Sequence, residues 1–305
     1  MDSIDTVSLN FSAENLFLLN ISLGFIMFGV AINLRPEDFL RVIRAPKSAL
    51  AGMLSQFILL PALTFVLIWI VQPMASLALG MMLVAACPGG NISNFMSSMA
   101  KGNAALSVSL TAVSSLLAVV MTPINLTFWG SLYGPTNEIL TVVELDFWDL
   151  LKTITTLLIV PIIAGMFLRK YRPDFADKLH PLMHYGSILI FAAIVLMAFS
   201  ANFDLFLAYI HYVIFLVFIH NGLALTTGYQ VGRLFRLPED DRRSLAIETG
   251  IQNSGLGLLL IFAFFDGLGG MAIVAAWWGI WHIISGLGLA WFWNRNSSII
   301  STGGS

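Results

Sequence analysis

The chain is 305 residues long, 58% hydrophobic and only 10% charged, with a formal net charge of −2. A soluble domain of this size would carry about 25% charged residues, so an all-α polytopic membrane protein is expected. The near-neutral charge excludes the basic footprint of a nucleic-acid binder, and the single cysteine, Cys87, excludes an intrachain disulfide and a thiolate metal cluster.

Apolar stretches of roughly 17–25 residues, long enough to cross a bilayer, recur nine times. They run near 15–34, 47–71, 75–100, 103–131, 147–169, 181–202, 207–233, 242–265 and 269–293. The residues before the first include Asp2, Asp5 and Glu14 and no Lys or Arg. That is the wrong charge for a secretory signal, so the first stretch is expected to be a retained span. The second carries Gln56 ahead of Pro61, where proline frees a carbonyl and kinks the helix. Gln56 also suits a plain interhelical amide contact.

The third stretch is interrupted by Cys87-Pro88-Gly89-Gly90-Asn91-Ile92-Ser93-Asn94, and the eighth by Glu248-Thr249-Gly250-Ile251-Gln252-Asn253-Ser254-Gly255. Hydrocarbon supplies no water to unpaired backbone, so unwound chain at that depth persists only where it lines a cavity or binds something. Two such breaks in the two halves of a chain point to the binding site of a secondary transporter. Pro88-Gly89-Gly90 alone would suit a packing kink, but the polar run that follows it argues against that reading. Ser107 and Thr111 in the fourth stretch share one helix face, but hydroxyls in membrane helices also bond their own backbone. His220 beside Asn221 is expected to make a structural hydrogen bond. Trp277, Trp278 and Trp281 in the last stretch either pack or line a path, and His282 follows them. Residues 294–305 are expected to be a disordered tail.

Alternating the loops tests the span count through charge. One side collects 14 of the 15 cationic residues, among them Arg35, Arg41, Arg44, Lys47, Lys101, Arg169 and Arg243. The other holds Lys152 alone among nine acids. The positive-inside rule then puts the N-terminus outside and the C-terminus in the cytoplasm, in a cell (plasma or inner) membrane. Glu248 falls inside the bilayer, where a carboxylate costs roughly 2.5–3.5 kcal/mol or more, and so marks a functional site. The two breaks lie at similar depth in spans of opposite direction, as an inverted repeat of spans 1–4 and 6–9 requires.

A hard cation such as sodium seeks several oxygen ligands with a negative charge nearby. The breaks offer hydroxyls at Ser93, Thr249 and Ser254, amides at Asn91, Asn94, Gln252 and Asn253, and the Glu248 carboxylate. At these residues the chain resembles the bile acid:sodium symporter family, through Cys-Pro-Gly-Gly-Asn-Ile-Ser-Asn at 87–94 and Glu-Thr-Gly-Ile-Gln-Asn at 248–253. The resemblance covers essentially the whole chain, in the nine-span form lacking the first helix of ten-span relatives. It implies two discontinuous crossing helices, a panel domain of 15–34 and 147–202, and a core domain of 47–131 and 207–293. It also implies one sodium site on Ser93, Asn94, Ser107, Thr111 and Glu248. A second would use Gln56, Glu248, Gln252 and the main-chain oxygens of Thr249 and Ile251. Substrate contacts would fall near Asn91, Asn253 and His282. Ile283 stands where many bacterial relatives carry Asn, which bears on substrate identity.

The expected function is thus sodium-coupled import of an organic anion, a bile acid or smaller carboxylate, by alternating access. No enzyme activity, nucleic acid or obligate protein partner is expected. The alternative is a proton-coupled carrier in which Glu248 titrates.

Overall fold

Helix accounts for nearly all the regular secondary structure, with one isolated antiparallel bridge, between Gly89 and Gln252, among the described residues. The structure is a computed structural model that describes residues 4–5, 21–22, 24–29, 31–32, 34–90, 92–201 and 203–302. The first expected span, 15–34, is therefore described only in part, and Asn91 lies outside the described residues. A short helix α1 (Pro36–Arg44) begins at a proline, whose missing N–H costs nothing in a first turn.

The next span is built from α2 (Pro46–Leu54), a π turn (Ser55–Leu59) and α3 (Leu60–Val71). Pro61 cannot donate to the Phe57 carbonyl. Instead of a simple kink the chain widens by one π turn, and Asn125 Nδ2 donates to Phe57 O at 3.1 Å. Gln56 and Ser55 sit in that turn, both buried.

Each sequence interruption divides a helix. The first separates α4 (Ala75–Ala86) from α5 (Ile92–Met99), and the second separates α11 (Glu239–Gly250) from α12 (Ser254–Phe264). Between them come α6 (Ala104–Leu132), α7 (Gly134–Val142), α8 (Phe147–Tyr171), α9 (Pro173–Ala201) and α10 (Phe203–Leu234). The last helix is α13 (Gly269–Thr302).

Among the described residues five helices are long and apolar enough to cross a membrane: Pro46–Val71, Ala104–Leu132, Phe147–Tyr171, Leu207–Leu234 and Gly269–Arg295. Ala75–Ala86 and Ser254–Phe264 are apolar but too short, as halves of divided spans must be. The α4 half is buried from Ser76 to Ala86, so it runs through the middle of the protein. Gly80 lets it touch α13: a Cβ there would stand 2.8 Å from Met271 Cα. Exposed Ile70, Val160, Ile163, Phe167 and Phe215 instead cover the outer faces of other helices, the distribution expected when lipid is the solvent.

One expectation needs correction, and one loop holds a helix outside the expected spans. Residues 294–302 are helical rather than disordered; no Gly or Pro interrupts the chain between Gly288 and Gly303, so nothing stops α13. The loop after the fourth span holds α7, which Pro135 starts and Thr136 secures by donating from Oγ1 to Gly130 O at 2.6 Å.

Candidate cation site at the helix crossing

The two breaks meet and pair. Gly90 N donates to Ile251 O at 2.7 Å, and Asn253 N donates to Pro88 O at 2.8 Å, flanking the Gly89–Gln252 bridge. Each extended segment thus supplies part of the hydrogen bonding that the other lost on unwinding. Side chains take three further carbonyls at the breaks. Thr122 Oγ1 donates to Ala86 O at 2.7 Å, Gln252 Nε2 to Thr249 O at 2.7 Å, and Asn221 Nδ2 to Gly250 O at 2.8 Å. Gly90 is needed for this approach, since a Cβ there would stand 3.1 Å from Gln252 O.

Glu248 lies on the last turn of α11, 2% exposed, where the pairing brings it against α5 and α6. Ser93 Oγ donates to its Oε1 at 2.5 Å, Ser107 Oγ donates to the same oxygen, and Thr111 Oγ1 donates to Oε2 at 2.9 Å. Asn94 Oδ1 faces the same hydroxyls, 2.9 Å from Ser107 Oγ and 3.1 Å from Thr111 Oγ1. Thr111 Oγ1 also reaches Ser107 O at 3.1 Å. All five residues expected at the first site are therefore brought together.

The proton count of this cluster decides its chemistry. Six oxygen–oxygen contacts at hydrogen-bonding distance share the protons of three hydroxyls. Each hydroxyl donates once, so half of the contacts lack a proton. None of the ion pairs among the described residues includes Glu248; they join Arg41 to Asp38, Arg169 to Asp177, and Arg242 and Arg243 to Glu239. Burying one carboxylate costs several kcal/mol, and hydrogen bonds to a charged group return about 1.5–3 kcal/mol each. Three such bonds offset the burial only if they all serve Glu248, leaving Asn94 Oδ1 unserved. An added positive charge among these oxygens resolves the shortage, and the oxygen-only donor set suits a hard cation.

The second expected group assembles on the other side of Gly89. A Cβ placed on Gly89 would stand 3.0 Å from Glu248 Oε2 and 3.4 Å from Gln56 Nε2, so both side chains border the same small space. The buried atoms Gln56 Nε2 and Gln252 Oε1 have no hydrogen-bond partner. A lone buried amide oxygen at Gln252 is what a cation ligand looks like before its ion is added. The carbonyls of Thr249 and Ile251 are already engaged, by Gln252 Nε2 and Gly90 N, although each oxygen keeps a second lone pair. Ser55, which the sequence reading passed over, joins through its Oγ, 2.8 Å from Thr249 Oγ1. Its only sequence signal was adjacency to Gln56.

The residues expected to contact substrate are less united. Asn253 Oδ1 caps α12 by accepting from Leu256 N at 3.1 Å, while its Nδ2 lies 3.9 Å from Met27 Sδ. His282 is buried on α13 with Nδ1 unpartnered. Among the described residues no hydrogen bond joins the two. His220 makes the expected structural bond, its Nε2 2.7 Å from Thr64 Oγ1, and its ring meets Trp278 at 4.8 Å.

The chain is similar to known proteins. Residues 20–209 match the Sodium Bile acid symporter family. The chain is 33% identical over 293 residues to an uncharacterized sodium-dependent transporter of Bacillus subtilis (strain 168), covering 94% of this chain and 88% of that one. It is 29% identical over 278 residues to a chloroplastic protein of Oryza sativa subsp. japonica named a probable sodium/metabolite cotransporter. That alignment covers 91% of this chain but 64% of the longer rice protein. A counterpart in Arabidopsis thaliana is 28% identical over 277 residues, with 91% and 67% covered. The family match spans more than half of the chain, and the Bacillus alignment extends it through the second break to α13; the chain belongs to the sodium bile acid symporter family and is a membrane transporter, not an enzyme.

Proposed function

We propose that the chain is a sodium-coupled symporter that imports an organic anion by alternating access. The observation that carries this reading is the buried Glu248 carboxylate, ringed by oxygen ligands short of protons and paired with no Lys or Arg among the described residues. Ser93, Asn94, Ser107, Thr111 and Glu248 hold one sodium ion. Gln56, Glu248, Gln252 and the carbonyls of Thr249 and Ile251 hold a second. Nine spans place the N-terminus outside, and a core of 47–131 and 207–293 moves against a panel of 15–34 and 147–202.

Coupling follows from charge. An empty site presents one negative charge to an arriving anion and repels it. Two bound sodium ions leave the site at net +1, which favours an anion near Asn91, Asn253 and His282. Linkage makes the effect reciprocal: sodium raises anion affinity and the anion raises sodium affinity by one factor. With a monoanion each cycle carries one positive charge inward, driven by about 2.3 kcal/mol per 100 mV.

A second reading rests on the same proton shortage: a proton on Glu248 would relieve it too, giving a proton-coupled carrier. The test is a thermal-stability screen of purified protein against bile acids and small carboxylates, in sodium and in choline. Stabilisation by an anion only when sodium is present supports the symporter. Anion stabilisation in choline that follows pH instead of sodium supports the proton carrier.

A further inference from the structure

Gly250 ends α11, two residues beyond Glu248. In an unbroken helix its carbonyl would accept from Ser254 N, but Ser254 N turns to Gln252 O at 3.0 Å. The freed Gly250 oxygen is taken across the bundle by Asn221 Nδ2 of α10, at 2.8 Å. The other end of the same amide is also used: Ser285 Oγ of α13 donates to Asn221 Oδ1 at 2.6 Å, and lies 3.2 Å from His282 O. Asn221 is fully buried, so neither bond has water as a substitute. One side chain therefore ties the backbone beside Thr249 and Glu248 to the helix that carries His282.

This inference rests on the sodium reading above. We propose that Asn221 is a positioning residue for sodium coupling. Its amide fixes the α11 terminus, and with it Glu248 and the Thr249 carbonyl, in register with α13, and Ser285 holds the amide's orientation. Neighbouring His220 adds rigidity by bonding Thr64 of α3, so that α10 presents Asn221 from a fixed base. Sodium affinity is then set partly by a residue that touches no ion.

The test titrates the full-length purified protein with sodium chloride in a choline background and reads the melting temperature. The wild type, Asn221→Ala, Ser285→Ala, Ser285→Thr and the double variant of Asn221→Ala with Ser285→Ala are compared. Losing one buried hydrogen bond weakens the half-saturating sodium concentration about three- to tenfold. The expected pattern is weaker sodium response in Asn221→Ala and Ser285→Ala, a double variant no worse than Asn221→Ala, and near-normal response in Ser285→Thr. A purely structural role would lower melting in choline and leave the half-saturating concentration unchanged, which overturns the proposal. A wild type that ignores sodium overturns the symporter reading itself, a result distinct from a responsive wild type with an equally responsive Asn221→Ala. If Asn221→Ala does not fold, Ser285→Ala against Ser285→Thr decides alone.

Discussion

Gly89→Ala probes the site with one methyl group. The added Cβ would stand 3.0 Å from Glu248 Oε2 and 3.4 Å from both Gln56 Nε2 and Glu248 O. Gly89 is not among the positive-φ residues, so alanine adds no backbone strain and the effect is one of space. The methyl meets a carboxylate oxygen at less than ordinary contact, and a crowded site of this kind costs about 1–3 kcal/mol. Expressed as sodium affinity that is about 5- to 150-fold. The loss falls first on the second ion, between Glu248 and Gln56, and reaches the first cluster only through Glu248 Oε2, which also accepts from Thr111 Oγ1. Sodium-dependent melting or radiosodium binding should therefore change from a steep to a shallow titration at higher sodium, with melting in choline nearly unchanged. An Ala variant with wild-type midpoint and steepness would refute a cation position between Glu248 and Gln56.

Thr122→Val removes the donor that covers Ala86 O and leaves a buried carbonyl bare, at about 1–3 kcal/mol; the melting temperature in choline should fall. Gly228→Ala puts a Cβ 2.2 Å from Leu245 O, a backbone atom that cannot swing away, so α10 and α11 must separate and monodisperse yield should drop. Gly222→Ala on the same helix meets nothing within 4 Å and should be neutral or slightly stabilising. On the charged side of the protein, a hydrogen bond from Arg169 and its positive charge hold the Asp177 carboxyl below the usual carboxylate range. A lowered folded-state pKa means that the pair stabilises above the ordinary carboxylate pKa and stops doing so as pH falls through the lowered value. A melting series against pH should show that acid loss in the wild type and not in Asp177→Asn.

The site was legible in the sequence where its residues violate the rules of their surroundings. Glu248, Pro88-Gly89-Gly90 and the run Gly250–Asn253 are costly in hydrocarbon, so each stood out against an apolar background. Ser93, Asn94, Ser107 and Thr111 were assigned through resemblance, and they do converge on Glu248. What sequence could not give were the partners that repair the breaks. Asn221 is one amide in a long apolar helix, and nothing local says that it covers a carbonyl 29 residues away. Thr122 and Asn125 look like ordinary helix-tolerant polar residues until Ala86 and Phe57 arrive beside them. The π turn at Gln56 escaped for a related reason: Pro61 announces a missing bond, but whether the helix kinks or widens depends on what Asn125 offers across the gap. The helical end of α13 escaped because a tail rich in Ser and Gly reads as disordered, although its first glycine comes only at Gly303.

Equilibrium binding of radiosodium to the purified protein in choline buffer, with and without Glu248→Gln, addresses the central claim most directly. The neutral amide keeps the shape of Glu248 and removes the charge that draws the ion. Saturable sodium binding by the wild type and none by Glu248→Gln is the predicted result. Undiminished binding by Glu248→Gln, or no binding by a folded wild type, would contradict the account.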